Sequence, residues 1–298
     1  MVAYLPFYIT PEEFTELEDK KEREFREAKD SLSWTSYNLD EKDRWIRKKL
    51  WFFITASVSV LLIGVGMLAD FEMWMRMEGL ALATMLALIV VWFSTYVSYA
   101  CDDRFDYVFS KRGTAVFQRF GEPDWVPAAV KGMGIIGSVG CIILVAVVGP
   151  VALVGLGGFM LVSFALVSRK PHEPTRMVVP TEQYLMVKYN RKRNVVCIYS
   201  KIDVCMPSPH EEDSVFRAQS KGELYLFPEN SAQFDKILKT LNDSSSISVE
   251  EEDDYEALFD TKKRPQIVKA VRRAKATYSM EDAVNKRHLP TPPPKKPR

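Results

Sequence analysis

Residues 50–69, 79–100 and 132–167 contain no Asp, Glu, Lys, Arg or His. No other feature constrains the chain as much. Together they make 78 of 298 residues, and a helix needs about 20 apolar residues to cross a ~30 Å hydrocarbon layer. The bulk figures, 40 Lys+Arg against 39 Asp+Glu and 47% hydrophobic residues, hide this clustering. The pattern predicts a membrane α-helical fold, with four transmembrane helices as two hairpins and a small cytoplasmic α+β module. The first hairpin occupies 50–100, with spans 50–69 and 79–100. The third stretch is too long for one crossing, since 36 helical residues reach about 54 Å. Gly149-Pro150 divides it into 132–149 and 150–167 as a second hairpin over 132–167, and one long helix kinked at Pro150 is the alternative. This excludes a wholly soluble enzyme, and the four Cys exclude a disulfide-stapled secreted scaffold.

Basic residues set the orientation. Five lie in 42–49, five in 101–131 and seven in 169–193, against one in 70–78. The expectation is a multi-pass integral membrane protein with both termini cytoplasmic, in the inner membrane if bacterial. The spans hold no ionisable residue, whereas coupled transporters keep such groups along the ion path. Small residues at contact spacing, Gly134 with Ser138 and Gly137 with Cys141, are candidates for helix packing. They serve the chain's own helices or a homo-oligomer.

Outside the spans, Thr10, Pro11 and Glu13 form a capping-box signature that opens a helix within the cytoplasmic segment 1–49. Phe14, Leu17, Phe25, Ala28 and Leu32 make an apolar stripe interrupted by Lys21, either docked on the protein's own body or offered to a partner. In the cytoplasmic loop 101–131, FDYVFSKRGTAVFQRF predicts a β-hairpin turning near Gly113. Short strands fill 176–226, and Ser231 starts the amphipathic helix SAQFDKILKTLN, which closes a module spanning 168–242. If the 105–120 hairpin completes the same sheet, the second pair of spans is an insertion in one cytoplasmic domain.

The strand–strand–helix order of 176–242, with the phrase GELYLFPENSAQFDKILKTL, resembles bacterial membrane proteins with a pleckstrin-homology-like cytoplasmic domain. The resemblance implies an interaction platform, not a catalyst, and it transfers no lipid-binding residue to this chain.

Residues 243–298 read as a charged, Pro-rich, largely disordered tail. Eight acidic groups fall in 243–260 and twelve basic ones in 262–298, the pattern of a solvated segment. Ile267, Val268, Val271, Ala274 and Tyr278 would share one helical face, with Lys269, Arg272, Arg273 and Lys275 around it. Those four cations, with Phe14, Leu17 and Phe25, are the candidates for contact with a partner or with membrane lipid. Nucleic acid is disfavoured because stacking aromatics are not interleaved. The terminal LPTPPPKKPR fits a polyproline ligand pattern.

The His residues lack zinc spacing with Cys, and no phosphate-loop or nucleophile motif occurs. No cofactor, metal or catalytic residue is therefore expected, and the Cys should stay reduced. Asp102, Asp103 and Asp106 form the best catalytic-looking group, and a helix-end charge cluster before a hairpin is the commoner explanation. The function expected on these grounds is a non-enzymatic membrane interaction or regulatory protein, a scaffold for unknown protein partners in a secretion, conjugation or exclusion system. An oligomeric transporter or channel, and a membrane enzyme using the Asp cluster, are the alternatives.

Overall fold

Alternation of apolar and polar residues marks the strands of this chain, and longer apolar runs mark its helices. The computed structural model describes residues 5–69, 71–76, 79–148, 174–209, 211, 213–243 and 247–292. They divide into two units: Met1–Arg44 with Arg104–Gln118 and Thr175–Arg298, and Trp45–Asp103 with Arg119–Pro174.

The first unit carries two sheets. One has the order β1-β2-β3-β4, comprising β1 (Leu32–Asn38), β2 (Asp103–Ser110), β3 (Gly113–Phe120) and β4 (Thr175–Pro180). Only Lys111 and Arg112 separate β2 from β3. A Cβ at Gly113 would meet the Val179 carbonyl oxygen at 2.6 Å as well as the Phe25 ring, so this hairpin end admits no side chain there. The other sheet has the order β8-β5-β6-β7-β9. Its strands are β5 (Tyr184–Asn190), β6 (Val195–Pro207), β7 (Ser214–Leu226), β8 (Val249–Glu251) and β9 (Ala274–Ser279). The long β6 and β7 pair antiparallel from Val196↔Leu226 to Pro207↔Val215.

One hydrophobic core joins the two sheets. Trp34, Phe105, Tyr107 and Phe109 pack with Val187, Val196, Ile198, Leu224 and Leu226. The helix Ser231–Asn242 adds Phe234, Ile237, Leu238 and Leu241, and its N-cap Asn230 accepts from Gln233 N. Two polar side chains of this core are satisfied across the sheets, as burial requires. The Tyr107 hydroxyl donates to the Tyr225 carbonyl at 2.9 Å, and Trp34 Nε1 to the Phe227 carbonyl at 3.0 Å. Burial pushes the Tyr107 hydroxyl pKa well above its ordinary value.

The predicted hairpin forms, and it pairs with β4 through Gly113↔Pro180 to Gln118↔Thr175. It therefore joins the strand at 175–180 and leaves β5, β6 and β7 to the second sheet. Residues 249–285, expected as disordered, contribute β8, β9 and short helices. Their order has a physical cause. β8 runs parallel to β5, Lys188 pairs with Glu252 at 2.8 Å, Arg264 pairs with Glu223, and Leu258 and Val268 are buried. The amphipathic helix expected over 267–278 is instead one helical turn, Gln266–Lys269, followed by β9.

The second unit contains the long helix α2 (Ile46–Ala69), a short helix Phe71–Arg76, a helix Leu80–Thr95 continued by a π-helical turn Tyr96–Ala100, and a helix Val126–Val148. Indole donors tie α2 to the Leu80–Thr95 helix: Trp51 Nε1 reaches Thr95 Oγ1 at 3.1 Å, and Trp92 Nε1 reaches Ser59 Oγ at 2.7 Å. Thr55, Ser57 and Ser59 also donate back to carbonyls of their own helix.

The four-span fold is not what this chain adopts. Among the described residues it is a mixed fold with nine strands in two sheets, and one helix, Ile46–Leu68, is long and apolar enough to cross a membrane. The second expected span, 79–100, is an α-helix of 16 residues continued by the five-residue π-helical turn. The Gly149-Pro150 turn and the span 150–167 lie outside the described residues.

Candidate partner-binding surfaces

A cleft of about 560 Å³ opens where β9 stops pairing with β7. The two strands are in register from Ser214↔Ser279 to Gln219↔Ala274. Ser220 and Lys221 of β7 form one wall with Ala218 and Gln219, and Lys269, Arg273 and Lys275 stand on the other. Lys221 Nζ donates to the carbonyls of Val268 and Lys269, at 2.5 and 2.8 Å, which pins the one-turn helix beside the strand. Burial, followed by the nearby Arg273 and Arg264 charges, pulls the Lys221 amine below its ordinary pKa. Lys269, Arg272, Arg273 and Lys275 are exposed, and none forms an ion pair among the described residues. Nearby cations are neutralised: Lys263 by Asp254, Arg264 by Glu223, Lys286 by Asp282 and Arg287 by Glu13. The result is a cationic groove that no carboxylate among the described residues neutralises.

The second surface is built on helix α1 (Pro11–Arg26). The capping box forms as expected, with Thr10 Oγ1 accepting from Glu13 N and Glu13 Oε2 from Thr10 N. Phe14 and Phe25 are buried, Leu17 is half-buried, and the helix lies on β4 and β6. Phe14 and Phe25 are thus docked on the protein's own body and are not offered outward. Phe14 sits 5.3 Å beneath the guanidinium of Arg217, which has no exposed surface.

Arg217 is the centre of a strap. It pairs with Asp203 at 2.6 Å and donates to the carbonyls of Phe7 and Val204, at 3.2 and 3.1 Å, and to those of Leu5 and Pro6. Gln219 Nε2 holds the Leu5 carbonyl at 2.7 Å. The Tyr278 hydroxyl, shared between the Phe7 and Ile9 carbonyls, accepts from Ile9 N. Beside this network lies Glu18. Burial raises its carboxyl pKa to about 7, with Arg176 and Lys21 opposing and Asp19 and Asp203 reinforcing the shift.

The remaining sequence candidates are placed as follows. Ser138 and Gly134 are buried one turn apart, with Ser138 Oγ on the Gly134 carbonyl at 2.8 Å. The surroundings of Gly137 and the Cys141 side chain lie outside the description, as do His210 and the last six residues of the proline-rich end. The Asp cluster is held by charges and hydroxyls. Asp103 takes Arg47 at 2.7 Å, Asp102 takes Lys48 at 2.9 Å, and Asp106 takes Arg104 at 3.1 Å and Thr35 at 2.6 Å. These contacts explain the cluster as paired, largely covered charges, and among the described residues no group of three or more His, Cys, Asp or Glu could hold a metal. Cys101, Cys197 and Cys205 are free thiols. Sequence reasoning missed Arg217, β1 and β9.

A double-sheet unit bearing a cationic groove defines a surface suited to holding another macromolecule. Residues 15–254 match the family model described as TsiV2 immunity protein, and the chain belongs to that family. No curated protein and no solved structure matches it. The match replaces the pleckstrin-homology-like resemblance, because it runs well beyond 176–242 and takes in the helical unit, the first sheet and all of the second but β9. It also replaces the expected scaffold of a secretion, conjugation or exclusion system, and with it the transporter, channel and membrane-enzyme alternatives. What remains of the earlier expectation is a protein partner.

Proposed function

We propose that this chain is an immunity protein that neutralises a protein toxin by binding it, without turning over a substrate. The observation that carries the reading is the family match across 240 of the 298 residues. Neutralisation in a cell requires an affinity near nanomolar, about 12 kcal/mol. That is typical of interfaces burying roughly 1,600 Å² around a few anchoring residues. The groove is smaller than such an interface and would form one part of it. Cells that lack the chain should be killed by wild-type siblings that release the toxin, and a plasmid copy should restore survival. Equal survival with and without the chain would defeat the proposal.

We also propose that α2 sits in a lipid bilayer, with its basic flank Arg47, Lys48 and Lys49 on the cytoplasmic side. Support comes from exposure: only 11% of its most apolar window is buried inside the protein, and Phe53, Val60, Leu61 and Leu68 are open to the surroundings. A core helix of a soluble fold would be covered, and exposed apolar area on this scale marks contact with another phase. Alkaline carbonate washing should leave the chain in the membrane pellet. Release into the wash would contradict the placement.

A further inference from the structure

Four cations of the C-terminal segment, Lys263, Arg264, Lys286 and Arg287, have carboxylate partners within the chain, whereas among the described residues those around the β7–β9 cleft have none. Like charges held together repel one another, so keeping them unneutralised costs stability unless something else supplies the counter-charge. The geometry explains how they are gathered. β9 begins at Ala274, opposite Gln219, and the preceding chain from Lys269 swings off β7, leaving a concave space of about 560 Å³ with cations on both walls. Spaces of this size are typical of ligand-sized pockets. Lys269, Arg273 and Lys275 lie beyond the matched stretch 15–254, whereas Lys221 lies within it. The groove therefore joins a position the family model covers to a segment outside the matched stretch.

Resting on the immunity reading, we propose that this groove receives an acidic segment of the toxin, with Lys221, Lys269, Arg273 and Lys275 as its counter-charges. The chemistry favours a carboxylate-rich peptide over other anionic partners. Lipid headgroups are met by amphipathic helices with an inserted apolar face, and the helix here is a single turn, Gln266–Lys269. Single-stranded nucleic acid requires stacking aromatics, and the groove is lined by Lys, Arg, Ala, Val, Ser and Gln. Complementary charge of this kind sets partner choice and association rate more than total affinity. The groove would thus distinguish the cognate toxin from others.

The test uses the full-length chain in mild detergent and a fluorescein-labelled peptide alternating Glu and Ser, with its Gln-for-Glu counterpart as control. Fluorescence anisotropy should show binding of the acidic peptide only, weakening as salt rises. The triple variant Lys269→Gln, Arg273→Gln, Lys275→Gln should bind about tenfold more weakly, from three exposed pairs of modest strength. The corresponding Glu variant should lose binding altogether. Both should unfold no lower than the wild type, because these side chains are exposed and their mutual repulsion is relieved. Lys221 is left unchanged because its amine holds the neighbouring helical turn. In sibling-killing assays the Glu variant should fail to protect. If the wild-type chain gives no protection, the immunity reading falls whatever the peptide does. If the wild type protects and the Glu variant protects equally, the groove proposal is overturned. Peptide binding unchanged by the substitutions overturns it too, as does binding only to vesicles of anionic phospholipid.

Discussion

Substituting Arg217→Ala should destabilise the sheet-rich unit by about 3–5 kcal/mol, the usual cost of removing one partner from a buried ion pair. Asp203 would keep its charge in a site where its side chain is 6% exposed. The carbonyls of Pro6 and Phe7 would lose their guanidinium donors, and each unsatisfied buried group adds its own penalty. Against a total stability of roughly 5–15 kcal/mol, this is a large fraction. Thermal unfolding of the full-length chain, followed by tryptophan fluorescence, should shift down by about 10 °C or more. The strap Leu5–Ile9 should lose protection from hydrogen exchange at the same time. Arg217→Met combined with Asp203→Leu should recover much of the loss, since replacing both charges with apolar groups is often neutral. A shift as small as that of an exposed arginine would show that the buried pair is not what fastens the strap.

The second large effect is a pH dependence centred on Glu18. Its folded-state pKa is raised to about 7 from an ordinary value of 4.5, chiefly by burial. For an acid shifted upward, the stabilising contribution is complete below the unfolded pKa and disappears as pH rises through the folded one. Stability should therefore decline between about pH 4.5 and pH 7 and then level off. The full shift corresponds to about 3 kcal/mol, and partial screening by solvent reduces the expected change to about 1–2 kcal/mol. Glu18→Gln mimics the protonated form, so it should flatten this window and be the more stable protein at pH 8. If its pH profile runs parallel to the wild type, Glu18 is not the titrating group. Arg217 and Glu18 belong to one neighbourhood, through Asp203. The two substitutions should accordingly couple in a double-mutant cycle.

Both groups show where the sequence is silent. A lone Arg in a β-prone run such as SVFRAQ reads as an outward-facing residue. Its burial depends on carbonyls from Leu5 to Phe7, some 210 residues away, which no local pattern reports. β1 escapes notice for another reason. In LSWTSYN only Trp34 and Asn38 are buried, a spacing of four that lacks the alternation by which strands are recognised. The same spacing misleads in β9: Ala274 and Tyr278 are its buried residues, and an i, i+4 pair among lysines and arginines suits an amphipathic helix equally well. Where local chemistry decides the structure, the reading is direct. The capping box at Thr10, the hairpin around Lys111-Arg112 and the inward face of Ser231–Asn242 all follow from residues a few positions apart.

The four-span reading erred through weight given to composition. Apolar runs mark candidate spans, and α2 is one. They say nothing of the remaining chain, where alternating strands fold around a shared core. Of the candidate site, the cations Lys269, Arg273 and Lys275 were visible in the sequence, but their gathering into a groove depends on the β7–β9 register and was not. Lys221, from the opposite wall, carried no signal at all.

The central claim is that this chain neutralises a toxin by holding it in a complex. The most direct measurement is co-purification of the full-length chain with the toxin to which chain-deficient cells succumb, followed by light scattering to obtain the stoichiometry. A stable complex of fixed stoichiometry, in which the toxin is unmodified and inactive and regains activity on dissociation, is the predicted result. Toxin that emerges free of the chain, or cleaved or chemically altered by it, would contradict the account.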